Sequence, residues 1–270
     1  MNAQAKFDNA GNLLSRGIEW TAIFGAGSGY TANPVRGCDH KCQWKMPDGK
    51  VVICYAKSQR DRMDGDGAFE NVTFHPDVFQ KIARHKHRAG IFIDSMSDLL
   101  GNSVKPEWIQ QTIALMNECS EHIFFVLTKN PRRLVEFEWP NNAFVGLSSP
   151  PTFMYGKEMN VAQQRTWFRK GTDWLSDTKA KWKWISLEPL AVDVTDILQD
   201  FYPDWAVIGA GSDGRKTYQP DEWIFQRTLE ALDTEPTCPV FYKGNLDRAL
   251  ADRHGGWREE YPTLEAVGLL

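Results

Sequence analysis

Three cysteines lie close together near the N-terminus and are the residues best suited to chemistry. Cys38 and Cys42 are four positions apart and Cys54 follows twelve positions later, within NPVRGCDHKCQWKMPDGKVVICYAKS. In a reducing compartment, so tight a group of thiols is typical of a metal site or a catalytic site rather than of a disulfide framework. An odd total of five cysteines agrees with this interpretation. Cys119 and Cys238, by contrast, are expected to be ordinary buried thiols.

Two kinds of metal centre fit these thiols. A structural zinc ion takes four ligands, and the fourth is expected to be His40, inside the segment, or a more distant histidine such as His75. The alternative is an iron–sulfur cluster on Cys38, Cys42 and Cys54, which leaves one iron open, the arrangement used by enzymes that bind S-adenosylmethionine there. The eleven residues between Cys42 and Cys54 contain Pro-Asp-Gly, which predicts a turn between two short strands. Such a hairpin would bring Cys54 back to Cys42.

A second set of polar residues follows a series of short apolar runs. The runs cover 91–93, 123–127, 143–147, 184–187, 205–209 and 240–242, and they are typical of strands buried on both faces of a parallel sheet. Polar or glycine-rich residues end the runs, and functional groups of parallel α/β folds collect at that edge of the sheet. The residues so predicted to bind substrate or nucleic acid are Asp94, Ser95, Ser97, Ser148, Ser149, Gly209, Gly211 and Lys243. Asp98, Glu188 and Lys129 are predicted to be catalytic.

The elements that must position these residues alternate along the chain. Helices are predicted over 106–120 and 220–233, each opened by a proline and acidic residues, and an early strand is predicted near 18–24. Strand and helix alternating in this way predict βαβ units with right-handed crossovers. We expect a (β/α) barrel of the TIM type, complete or incomplete, with a doubly wound open sheet as the alternative. Residues 1–270 would form one domain, with a cysteine-rich loop at 34–58 and a loop excursion or irregular helix at 150–171.

Composition limits the partners. The chain has 270 residues, 42% hydrophobic, with a net charge of −4, so nucleic acid would have to be bound by a local patch. Arg132 and Arg133, just after Lys129, are predicted to contact phosphates. No segment approaches the ~20 apolar residues of a membrane span, so we expect a cytoplasmic protein without membrane contacts. The oligomeric state is left open.

The motifs resemble two related groups of proteins. The cysteine segment is similar to the signature of radical S-adenosylmethionine enzymes of the spore photoproduct lyase type. The combination of Ile18–Thr21, the three cysteines, SMSDL at 95–99, LTK at 127–129 and LEPL at 187–190 more closely resembles a phage family named for its three-cysteine motif. The resemblance covers residues 18 to 245, and it places the protein in the cytoplasm of an infected or host bacterial cell.

The phage resemblance implies replacement of DNA guanine by a 7-deazaguanine base. Members of that family resemble tRNA-guanine transglycosylases, which are (β/α) barrels with a cysteine-bound zinc and a catalytic aspartate. The first hypothesis is therefore a DNA transglycosylase in which Asp98 attacks the sugar and Glu188 moves the proton of the base. The target nucleotide would be flipped from the duplex. The second is radical chemistry on nucleic acid with a 4Fe–4S cluster, and the third a non-catalytic nucleic-acid-binding module.

Overall fold

A mostly parallel sheet of eight strands forms the centre of the computed structural model, which describes residues 1–7, 13–23, 29–234 and 236–262. The strands follow one another across the sheet in chain order. They are β1 (Asn2–Ala3), β2 (Gly29–Ala32), β3 (Gly90–Ile93), β4 (Ile123–Thr128), β5 (Ala143–Ser148), β6 (Trp182–Leu187), β7 (Trp205–Ile208) and β8 (Val240–Tyr242). Only the pairing of β1 with β2 is antiparallel.

Helices flank this sheet, which curls into a half-barrel. The α-helices are α1 (Tyr55–Asp64), α2 (Asp77–Ala83), α3 (Pro106–Glu118), α4 (Val161–Asp177), α5 (Thr195–Asp200), α6 (Glu222–Leu232) and α7 (Arg248–Arg253). Short 3₁₀ helices cover Glu19–Thr21, Ala68–Glu70 and Pro131–Glu136. The mixed α/β class is confirmed, and so are the six strands from β3 to β8 and the two predicted helices, α3 and α6. None of the helices in the described residues combines the length and apolar character that crossing a bilayer takes.

Several short antiparallel strand pairs lie outside the main sheet. Gln43–Lys45 pairs with Val51–Ile53 in an antiparallel hairpin, so the turn predicted between Cys42 and Cys54 is confirmed. Phe153–Met154 extends this hairpin and pairs with Lys157–Glu158. The remaining pairs are Ala5–Phe7 with Leu13–Arg16, Val35–Arg36 with Thr73–Phe74, and Gly211–Ser212 with Thr217–Tyr218.

Two sequence-based assignments differ from the structure. The strand expected at 18–24 is wrong over 18–23, where a 3₁₀ turn forms because the Thr21 hydroxyl donates to the Ile18 carbonyl at 2.7 Å; residue 24 lies outside the described residues. The segment 150–171, expected to be a loop or irregular helix, contains a strand pair and the first part of the regular helix α4. A capping box explains that helix, since Asn160 and Gln163 exchange side-chain-to-backbone hydrogen bonds of 2.9 Å.

Side chains alternate between two cores. One face of the sheet packs against the helices, with Ile91, Phe124, Val145, Ile185 and Ile208 among its buried residues. The opposite, concave face carries aromatic residues along its amino-terminal half, and Trp20 of the 3₁₀ turn packs onto them. Since the same face continues to the carboxyl edge of the sheet, the residues that follow on it face the candidate site.

Candidate functional site

A cavity of about 350 Å³ lies at the carboxyl edge of the parallel strands. It brings together most of the residues singled out from the sequence. The predicted residues that line it are Cys38, His40, Cys42, Cys54, Asp94, Ser95, Ser97, Asp98, Lys129, Ser148, Glu188 and Lys243. Its volume is within the range of small-molecule and cofactor sites. The polar ends of the strands and the cysteine loop therefore line one cavity.

Backbone contacts hold the cysteine loop over the cavity. The Cys38 amide donates to the Phe69 carbonyl at 2.8 Å, and the Cys54 amide donates to the Cys42 carbonyl at 3.2 Å, which closes the hairpin. Gly37, just before Cys38, has a φ of 89°, and a Cβ there would lie 2.5 Å from the Asn71 carbonyl oxygen. Only glycine therefore fits this turn into the loop.

Burial makes two of the thiols, those of Cys38 and Cys42, poor free nucleophiles. It raises the pKa of Cys42 to about 12, and it also raises the pKa of Cys38, with Asp98 adding to the second shift. Thiols in such surroundings ionise when a cation binds them, because its charge replaces the lost hydration. The pair therefore suits metal ligation better than nucleophilic catalysis.

Cys38, Asp39 and His40 form a group that could hold a metal ion. One ligand atom from each lies within 4.8 Å of the other two, and among the described residues this is the group that meets that spacing. Cys42 and Cys54 line the same cavity but do not belong to this three-residue group. His75, the distant alternative ligand, instead has its Nε2 at 2.9 Å from the Thr73 hydroxyl.

His40 stands between the cysteines and the catalytic candidates. Its side chain is 2% exposed, Nδ1 lies 3.4 Å from the Asp98 carboxylate, and Nε2 has no hydrogen-bond partner among the described residues. Burial lowers the pKa of His40, although the Asp98 charge opposes that shift. A neutral imidazole with a free Nε2 is the form that binds metals.

Asp98 accepts hydrogen bonds on both of its oxygens. Oδ1 accepts from the Leu100 amide at 2.9 Å, Oδ2 accepts from the Lys129 amide at 2.7 Å, and the Thr128 hydroxyl lies within 3.0 Å of both. The carboxylate therefore ties the loop after β3 to the turn after β4. These donors use three of the roughly four lone-pair sites of the carboxylate, which lowers its nucleophilicity towards a sugar carbon.

Lys129 points its ammonium group across the cavity. Nζ donates to the Ser148 hydroxyl at 2.7 Å and lies 5.4 Å from the ring centre of Trp44, on the cysteine hairpin. The lysine thus joins β4, β5 and the hairpin, and its ammonium group is held beside the cavity.

An acidic pair surrounds a lysine on the opposite wall. Lys243 donates to Glu188 at 2.7 Å; burial alone would lower the pKa of Lys243, but Glu188 and Glu19 outweigh it and the pKa lies above its ordinary value. Burial raises the pKa of Glu19, which also lies near Glu188. One oxygen of each glutamate is buried without a hydrogen-bond partner among the described residues. Such oxygens are ready to accept a hydrogen bond from a ligand.

Asp94 is a buried carboxyl group at the end of β3. Its Oδ1 accepts from the Val35 amide at 2.9 Å, while Oδ2 has no partner among the described residues. Burial raises the pKa of Asp94 well above its ordinary value, which favours the protonated form of the carboxyl group. A protonated acid can donate a hydrogen bond into the cavity. The neighbouring hydroxyls of Ser95 and Ser97 instead donate to Asn33 and to the Val35 carbonyl.

The structure places five predicted residues elsewhere. The guanidinium of Arg133 donates to the Gly101 and Val104 carbonyls at 2.6 and 2.9 Å, so it holds a loop, and the phosphate contact predicted for it stays a prediction. Arg132 is exposed and does not line the cavity, and neither does the buried Ser149. The Gly209 amide donates to the Leu187 carbonyl, Gly211 is paired with Tyr218, and neither glycine lines the cavity.

Sequence reasoning missed several lining residues. Ser186 lies on the concave face between Trp184 and Glu188, and the continuous apolar run around it concealed the two-residue alternation. Trp44 and Tyr55 come from the cysteine hairpin and from the first turn of α1. Tyr55 follows Cys54 directly, and that adjacency was the only signal for it.

The chain belongs to the family described as "Protein of unknown function (DUF5131)", which matches residues 15–247. This match spans the three cysteines, the ends of all seven parallel strands and the Glu188–Lys243 pair. No curated protein matches the chain.

Proposed function

We propose that this DUF5131 protein is a metalloenzyme that carries a 4Fe–4S cluster on Cys38, Cys42 and Cys54 and performs radical chemistry with S-adenosylmethionine on a nucleic-acid component. Its half-barrel would be an incomplete (β/α) barrel. One observation carries the proposal: three thiols line a single cavity at the carboxyl edge of the sheet, opposite several polar groups with free hydrogen-bonding capacity. The resemblance of the cysteine segment to radical enzymes points the same way.

The spacing of the thiols favours a cluster over a single zinc ion. Zinc binds thiolates at about 2.3 Å, so tetrahedral ligation would bring its sulfur atoms within about 3.8 Å of one another. The three sulfurs do not form a group within 4.8 Å among the described residues. In a cluster each cysteine binds a different iron, and a wider spacing is suitable. When bound, such a cluster supplies the electron that starts the radical chemistry.

The remaining walls suit ligand binding. Glu188 offers a buried carboxylate oxygen to an amine or another donor, while Lys243 donates to its other oxygen. Asp94 supplies a proton donor, and Lys129 a positive charge beside Ser148. Asp98 acts as a positioning residue in this proposal, because it orients His40 and fixes the turn that carries Lys129.

Base exchange on DNA is the second candidate and stays a prediction. The Cys38, Asp39 and His40 group favours it, since that group could hold one ion. Asp98 is poorly suited to be its nucleophile, because amide and hydroxyl donors already occupy both oxygens.

The metal content and the reaction products distinguish the two functions. Protein purified without oxygen should contain about four irons with matching sulfide. With S-adenosylmethionine and dithionite it should release 5′-deoxyadenosine. Zinc in a colourless protein, together with incorporation of labelled 7-deazaguanine into duplex DNA without S-adenosylmethionine, would establish base exchange instead. Protein that binds neither metal under any preparation would contradict both functions.

A further inference from the structure

A second cavity of about 500 Å³ lies directly beside the three-cysteine cavity. Ile18, Tyr55 and Ser95 line both cavities and form the wall between them. The Tyr55 hydroxyl donates to the Ser95 backbone carbonyl and ties this wall together. A ligand in the second cavity would therefore lie one side chain away from the candidate metal centre.

Arg36 gives the second cavity an uncompensated positive charge. It lies on the short strand Val35–Arg36, whose pairing with Thr73–Phe74 fixes its backbone. No carboxylate of the described residues forms an ion pair with it, whereas Arg60, on another wall, lies 2.6 Å from Asp64. Burial lowers the pKa of the nearby His75, and the charge of Arg36 adds to that shift. A free guanidinium lining a cavity is suited to bind an anion in a bidentate manner.

Amide groups and thioethers line much of the second cavity, beside the Arg60–Asp64 pair. The Asn33 Oδ1 accepts from the Ser95 hydroxyl and the Met96 amide, which turns its NH₂ group towards other acceptors. The exposed Gln59 adds another amide, and Met63 and Met96 provide apolar surface. A simple carboxylate would need only the guanidinium. Amides beside apolar surface fit the edge and the face of a nucleobase, and a guanidinium fits a phosphate.

We propose that this second cavity binds the phosphate-bearing part of a nucleotide and so delivers its reactive end past Tyr55 to the three-cysteine cavity. The inference rests on the proposed function, because it names the substrate class of the same site. The nucleotide can be a free monophosphate or a unit of single-stranded nucleic acid, and both present the same phosphate chemistry to Arg36.

Binding measurements on the metal-loaded protein test this proposal. Guanosine 5′-monophosphate and guanosine are titrated by calorimetry, and a short fluorescent single-stranded oligodeoxynucleotide by anisotropy. Arg36→Gln should lower the affinity for whichever phosphate-bearing probe binds the wild-type protein. A loss of about ten-fold or more is expected, because a hydrogen bond to a charged group is lost. Arg36→Lys should retain part of the affinity. The matched control is Arg215→Gln, an exposed arginine on the Gly211–Tyr218 hairpin, which should leave affinity unchanged.

Each outcome decides a separate question. Loss of monophosphate binding in Arg36→Gln identifies a free nucleotide, and loss confined to the oligonucleotide identifies nucleic acid. Equal affinity of Arg36→Gln and Arg215→Gln for both probes overturns the proposal, and so does guanosine binding as tightly as its monophosphate. Iron content and 5′-deoxyadenosine release are measured in the same samples. If those fail while binding still depends on Arg36, the radical function is wrong and the nucleotide site remains.

Discussion

The concave face of the sheet has two halves with opposite chemistry. Near the amino ends of the strands its residues are aromatic and fully packed, whereas near the carboxyl ends they are acids, lysines and hydroxyls around a cavity. The aromatic half consists chiefly of Trp20, Phe92, Phe125, Phe144, Trp184, Trp205 and Phe241. Apart from Trp20 of the 3₁₀ turn, both halves lie on the same strands and follow the same two-residue alternation.

A step of two residues along a strand leads from one half to the other. Phe92 is followed on this face by Asp94, Trp184 by Ser186 and Glu188, and Phe241 by Lys243. The aromatic half provides a rigid base, so the polar half can keep partly unsatisfied groups that stability alone would not favour. We therefore expect changes in the polar half to affect chemistry more than folding, and changes in the aromatic half to do the reverse.

The largest effect is expected from Cys54→Ala. A cluster held by three cysteines loses one iron ligand, so iron content and 5′-deoxyadenosine formation should both fall to background. Folding should change little, because Cys54 is only partly buried and its packing contribution is small. Iron and sulfide assays, product analysis and thermal unfolding measure these three quantities.

Cys119→Ala is the matched control for this variant. Cys119 is a free and buried thiol of the helix-facing core, far from the cysteine loop in the sequence. It should keep the iron and the activity while losing a little stability. Full iron occupancy in Cys54→Ala would remove that cysteine from the metal site and would contradict the contrast between the halves.

Trp184→Ala tests the aromatic half. Trp184 is fully buried, its indole NH lies 3.2 Å from the Val126 and Phe144 carbonyls, and its ring stacks on Trp205 at 5.3 Å. Removing it should lower the free energy of unfolding by about 3–5 kcal/mol, measured by urea denaturation. Trp223→Ala, at an exposed tryptophan of α6, should change it by less than about 1 kcal/mol. Similar values for both variants would mean that the aromatic half does not support the sheet.

These two halves were not equally predictable from the sequence. Polar residues at the ends of apolar runs identified the cavity, since parallel strands bring their carboxyl ends together. The aromatic half was not predicted, because strands buried on both faces read as continuous apolar runs and hide which face each residue occupies. Gly146 illustrates what the sequence pattern hides. A Cβ there would lie 2.5 Å from the Trp184 indole nitrogen, so the position requires glycine because of a tertiary contact that no local pattern reveals.

The polar residues could be located from the sequence more readily than their roles could be assigned. Asp98 and Arg133 were interpreted as a nucleophile and a phosphate ligand, but their partners are backbone groups of loops distant in the sequence. Whether a charged side chain is free or occupied depends on those tertiary contacts. Arg36 shows the converse: it lies two residues before Cys38, but the sequence does not reveal that its guanidinium lines a cavity without an ion-pair partner among the described residues.

Asp98→Asn sharpens the contrast, because Asp98 belongs to the polar half and yet holds loops together. An asparagine amide would face either the Leu100 or the Lys129 amide, donor against donor. We expect the free energy of unfolding to fall by about 2–3 kcal/mol in urea denaturation, with a matching loss of affinity for iron. Asp66→Asn, at an exposed aspartate, serves as the control and should change neither. An unchanged stability with abolished base exchange would restore Asp98 as a nucleophile.

The smallest effect is expected from Asp94→Asn, and it depends on pH. Because burial raises the folded-state pKa of Asp94, its contribution to stability is fully present below the unfolded pKa of about 3.9 and is lost as the pH rises towards the folded pKa. Asparagine does not titrate, and its carbonyl can accept from the Val35 amide as Oδ1 does now. The variant should therefore gain stability relative to wild type as the pH is raised above about 4.

Unfolding free energies of both proteins between acidic and neutral pH measure that difference. Asp66→Asn provides the baseline, since an exposed aspartate should give a difference that stays flat over the same range. A variant that loses stability steadily as the pH rises would mean that the Asp94 carboxylate is charged and paired in the folded protein. The buried acid would then be a cation ligand of the cavity rather than its proton donor. The polar half would also hold the negative charge of Asp94, which its burial would otherwise disfavour.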